Sequence, residues 1–112
     1  MSNEHRRNHR LAINHMVEVS NAITEQVIGR IGNISANGLL LIGHQPIRDD
    51  ALYQFSFTFP PDRPDARRIE IGVHEQWNEA ANPHGQYWAG FRIIDIAADD
   101  RATLVQWLQR QG

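Results

Sequence analysis

The chain contains no cysteine. Disulfides, thiolate metal sites and a thiol nucleophile are thereby excluded, which fits a reducing compartment, and the expected location is the cytoplasm. It contains no lysine either, so all eleven basic residues are arginine. Long apolar runs are missing as well. A stretch such as residues 39–42 is far too short to cross a bilayer, and the polar first ten residues carry no signal-peptide core. Membrane insertion is therefore not expected. Nor is positive charge in excess: the formal net charge is −2, which argues against a nucleic acid polymer as partner. Asn33-Ile34-Ser35 matches the glycosylation sequon, but no secretion signal accompanies it.

Groupings that would do covalent chemistry are equally scarce. There is no Gly-rich phosphate loop and no GxSxG elbow. Asp49-Asp50 and Asp99-Asp100 read as turn and helix-cap residues, not as an acid/base pair. His5 and His9 are four apart, yet nothing else in that segment signals a helix. His44, His74 and His84 have no ligand spacing, and His15 falls on an apolar strand face as a packed core or rim residue. The expectation is a chain that is not an enzyme and holds no metal or cofactor.

What is present is a one-domain chain of 112 residues, 41% of them hydrophobic, enough for one modest core. Leu11, Ile13, His15, Val17 and Val19 alternate as one face of a first strand, with a turn at Ser20-Asn21. A second strand runs from Thr24 to Ile31, followed by a tight connection and a short strand over residues 39–42. Tyr53, Phe55, Phe57 and Phe59 alternate with Gln54, Ser56 and Thr58, so four aromatics face one core. Ile69, Ile71 and Val73 alternate again; residues 78–85 read as a loop, and a last strand covers residues 86–96. Leu104, Trp107 and Leu108 form the i, i+3, i+4 stripe of a terminal helix capped by Asp99 or Asp100. Trp77, Trp88 and Trp107 are expected mostly in the core, although one on the outer face near the turn could stack on a base. Six short strands closed by one helix make a small antiparallel barrel.

Two motifs stand apart. Arg6-Arg7-Asn8-His9-Arg10 is an RxxxR with a further arginine inside it, in a polar segment of charge +2 against −4 for the rest. Asn33-Ile34-Ser35-Ala36-Asn37-Gly38 fits [D/N]xSxxG. Those turn residues also suit a self-capped turn, with Gly38 supplying positive φ.

Together, in this order and at these places, the motifs resemble the PilZ domain family. There RxxxR lies just ahead of the first barrel strand, and [D/N]xSxxG lies between the second and third. The resemblance implies a mainly β fold, a six-stranded antiparallel PilZ-type barrel with a C-terminal α-helix. Residues 1–10 would be a flexible arm and residues 11–112 the barrel with its helix. It implies a cytoplasmic receptor or adaptor that binds cyclic di-GMP, orders its arm on the ligand and signals through a protein effector. The alternative is a PilZ-fold interaction module that binds no nucleotide, which the intact motifs argue against. The implied contacts are Arg6, Arg10 and, as a third arginine, Arg7, facing Asn33, Ser35 and Gly38. An arginine fork can pair in two places with a phosphate or with the O6/N7 edge of guanine, which a lysine cannot do. Asn33 stands where Asp is commoner in the family. Gly90-Phe91-Arg92-Ile93 places Ile where a family GxxF pattern has Phe.

Overall fold

The computed structural model describes residues 11–12, 15–81 and 85–111. Its elements in chain order are β1 (Leu11–Ala12), β2 (Glu18–Asn21), β3 (Val27–Ile34), β4 (Gly38–Gly43), β5 (Leu52–Phe59), β6 (Arg67–Ala81), β7 (Gln86–Ile96) and α1 (Ala98–Gln111). The ladder runs β3-β2-β5-β6-β7-β4, and β4 pairs back onto β3. Every pairing is antiparallel. The result is the expected closed six-stranded barrel with one terminal helix, and β1 adds a two-residue extension beside β3. Each barrel strand is paired on both sides, although β6 runs on to Ala81 past its last β5 partner at His74.

The core follows from the alternation in β5. Phe55, Phe57 and Phe59 are buried, and across the ladder Phe55 faces Ile71 while Phe57 faces Ile69. Phe55 meets Phe91 of β7 edge-on at 4.9 Å, a favoured arrangement for ring quadrupoles. Leu104, Trp107 and Leu108 of α1 are buried in the same cluster, as their spacing predicts. Trp107 packs edge-on against Phe59 at 5.0 Å, and its Nε1 donates to Asp62 Oδ1 at 3.1 Å.

Several boundaries differ from the expected ones, each for a local reason. The first strand is two pieces. Leu11 and Ala12 pair with Ile34 and Asn33, and Glu18 pairs with Arg30, and the described residues between them, 15–17, belong to neither strand. His15 is consequently exposed instead of packed, while Val17 stays inside, its carbonyl accepting from Ile31 N at 3.0 Å. Ser20 and Asn21 belong to β2. The turn comes after them, folded by Asn21 Oδ1 accepting from Ile23 N and Thr24 N.

β6 does not stop before residue 78. It continues to Ala81, paired with β7 from Trp77↔Gly90 to Ala81↔Gln86. At the helix start, Arg101 N donates to Ala97 O, which makes Ala97 the cap residue. Asp99 and Asp100 lie inside the first turn, where negative charge suits the helix dipole. Asp100 also accepts from Arg67 Nη2 at 2.8 Å.

Candidate functional site

The connection over residues 33–38 is built by one hydroxyl. Ser35 is completely buried. Its Oγ accepts from Asn37 N at 3.2 Å and Gly38 N at 3.1 Å, and donates to Gly38 O at 3.3 Å. Ser35 N donates to the same carbonyl at 2.8 Å. One donor and two acceptor positions are all a hydroxyl has, so Ser35 is fully engaged in shaping its own turn. Two neighbours brace the turn from outside: Ile93 N donates to Asn37 O at 2.7 Å, and Arg101 Nη1 to Ala36 O at 3.2 Å. Ser35→Ala is expected to lower unfolding stability by about 1–3 kcal/mol, because the buried Gly38 N–H loses its acceptor; urea denaturation measures it.

Gly38 departs from expectation. Among the described glycines only Gly85 has positive φ, and Gly38 is an ordinary strand residue paired with Arg92. Whatever the position uses, it is the missing side chain and not left-handed backbone.

Asn33 lies on β3, half-buried. Following the ladder sideways from it gives one row: Ala12, Asn33, Leu40, Gly90 and Trp77. The rows on either side, Ile34–Leu39–Phe91 and Ile31–Leu41–Ala89, are buried core. Side chains alternate along strands, so the Asn33 row faces outward. It ends in an aromatic ring. Trp77 is 46% exposed, and its indole lies flat enough over Gly90 that a Cβ there would collide with Nε1. Glycine at 90 is thus the condition for the indole to lean toward β4. Leu40 remains as an apolar floor between the ring and Asn33, which lie about two strand spacings (~10 Å) apart at the level of Gly90.

A buried acid stands two residues before Trp77. Glu75 is 3% exposed; Oε1 accepts from Asp50 N at 2.6 Å and Oε2 from Asn78 Nδ2 at 2.7 Å. These bonds satisfy a carboxylate that would otherwise be costly to bury, and they hold the register shift between Glu75 and Trp77. Trp88, expected mostly in the core like Trp77, also lies outside. It is 37% exposed, on the next outward row with Arg30, Ile42 and Glu79. Only Trp107 is a core tryptophan.

Arg6, Arg7 and Arg10, and with them the expected arm over residues 1–10, lie outside the described residues. The sequence nevertheless ties one motif to the other, because Arg10 directly precedes Leu11, whose ladder partner is Ile34. Ile34 belongs to the second motif, so the strand that follows the arginine motif in sequence pairs with the 33–38 connection. Among the described residues no cluster of three or more histidines and carboxylates could hold a metal ion. Far from this face, the hydrogen bond and charge of Arg63 hold the Asp65 carboxyl below its usual range.

Sequence reasoning found the turn but did not find the wall and floor formed by Trp77, Gly90 and Leu40. A signal was available for Trp77. It is a lone aromatic in His74-Glu75-Gln76-Trp77-Asn78-Glu79, a stretch with no apolar alternation that could carry it into a core.

Comparison with known proteins bears on the fold and the family. The chain finds no match among curated proteins. Among solved structures it is similar to the Bacillus subtilis inhibitor of motility (MotI/DgrA), with a TM-score of 0.73 and 20% identity, covering 91% of this chain. The chain spans only 49% of that protein, so the likeness speaks for the fold alone. The family model described as "PilZ domain" matches residues 4–110. That span takes in the arginine motif, the 33–38 turn, the outward row and the terminal helix, and the chain belongs to the PilZ domain family.

Proposed function

We propose that this chain is a cytoplasmic receptor for cyclic di-GMP, and that the ligand sits on the outer barrel face between residues 1–10 and the Asn33–Leu40–Gly90–Trp77 row. The PilZ family is one of receptors and adaptors, and the described residues contain no helix long and apolar enough to cross a membrane. One observation carries the reading. The ladder sets Asn33 of the second motif beside Ala12, two residues after Arg10 of the first, on a row that ends in an exposed indole.

The ligand's chemistry matches that row. Cyclic di-GMP carries two phosphates and two guanines. Arg6, Arg7 and Arg10 supply forks for phosphate or for the O6/N7 edges. Trp77 supplies a stacking surface, and Asn33 a donor and an acceptor at the base edge. Ser35 acts by shaping the turn, and Gly38 by keeping a side chain out of the way.

Binding orders residues 1–10 against the barrel. Beyond Met1 those residues carry no apolar side chain, so their own burial offsets little of the ordering entropy. A dianion neutralises the mutual repulsion of three arginines and adds charge-assisted bonds. The ordered surface is then what a protein effector reads. A thermal unfolding scan tests the reading. Ligand at a hundredfold excess over its Kd adds about 2.7 kcal/mol of stability, and an unchanged melting curve at high micromolar ligand speaks against it.

A further inference from the structure

We propose that Arg92 is an additional cationic contact of the same site, taking a phosphate of the dinucleotide at the edge of the 33–38 turn. The inference rests on the cyclic di-GMP reading above and extends it to a residue in neither motif.

Arg92 faces the ligand side of the barrel. Its neighbours along β7, Phe91 and Ile93, are buried at 1% and 7%, so alternation points Arg92 outward, and it is exposed. Its ladder partner on β4 is Gly38, the last residue of the motif turn. Directly opposed strand residues bring their Cβ atoms to within about 4.5–5.5 Å. Gly38 itself has no Cβ to stand opposite the arginine stem on the outer face. Since Gly38 does not have positive φ, this gives the motif glycine a use that its backbone conformation does not.

The arginine is also locked to the turn. The amide that follows it, Ile93 N, donates to Asn37 O at 2.7 Å, so the Arg92 backbone is positioned relative to residues 33–38 by a direct bond. Its charge is left available. The ladder partner on β6 is His74, and the nearest acid beyond it is already engaged: Asp50 Oδ1 lies 2.5 Å from His74 Nε2, with Gln76 Nε2 on the opposite ring nitrogen at 3.1 Å. Among the described residues the ion pairs join Arg63 to Asp65, Arg67 to Asp100, Arg68 to Glu70 and His74 to Asp50. Arg92 is in none of them. An exposed cation with no acid facing it, one strand spacing (about 4.8 Å) from the motif turn, is placed for an anion.

Calorimetry with cyclic di-GMP on the full chain tests the assignment. Arg92→Ala is expected to weaken binding roughly ten-fold or more, since a bond to a charged group is involved. Its melting temperature without ligand should match that of the unaltered chain. Arg92→Lys keeps the charge but not the two-point fork, so its affinity should fall between those of the unaltered chain and Arg92→Ala. Arg92→Ala binding as the unaltered chain does would overturn the proposal and leave the receptor reading standing. An unaltered chain that itself binds nothing would remove both readings together.

Discussion

Truncating Trp107 to alanine is expected to lower unfolding stability by about 3–5 kcal/mol, while truncating Trp77 should leave stability within about 0.5 kcal/mol. The two indoles do opposite work. Trp107 is 4% exposed, packs on Phe59 and hydrogen-bonds Asp62, so its removal opens a cavity where α1 meets the barrel and frees a polar partner. For a small domain that is a large part of all its stability. Trp77 is nearly half exposed and lies over Gly90. Its removal should appear in binding instead, as a loss of about 1–3 kcal/mol of ligand affinity, the usual worth of a base stacked on an aromatic ring. Denaturant unfolding paired with calorimetry separates the effects. Trp77→Ala that binds normally would show that the outward row is not the ligand's stacking surface.

Arg6→Ala and Arg10→Ala are each expected to weaken cyclic di-GMP binding at least ten-fold, since a hydrogen bond to a charged group contributes roughly 1.5–3 kcal/mol. The double variant should lose more than either, because two contacts go. None of the three should melt earlier without ligand, because polar side chains of this kind add little to an apolar core. Variants that melt early yet bind with unchanged affinity would assign the arginines to the scaffold.

How much of this was legible beforehand depended on whether burial imposed a period. In β5 it did. Tyr53, Phe55, Phe57 and Phe59 alternate without a break, and the strand, its direction and its core face all follow. The helix was legible for the same reason, through Leu104, Trp107 and Leu108. The 33–38 turn was legible through its composition.

Where the ladder breaks register, the period fails. The Leu11-to-Val19 alternation hid a break, since residues 15–17 lie outside both β1 and β2. The second half of β6 was hidden by the shift between Glu75 and Trp77, after which buried and exposed positions no longer alternate. The site suffered most from this. Its floor and wall depend on which residues stand opposite one another across β3, β4, β7 and β6, and register between distant strands is not written in any one of them. Trp77 looked like core because tryptophan usually is. Its pairing with Gly90, whose missing side chain leaves room for the ring, goes with an indole that lies outside.

Isothermal titration of cyclic di-GMP into the purified chain tests the central claim most directly. The account predicts saturable binding with a Kd around the micromolar range, about 8 kcal/mol, and far weaker binding of GMP, which offers one guanine and one phosphate to a site built for two of each. A folded sample that gives no heat and no competition at high micromolar ligand would contradict it.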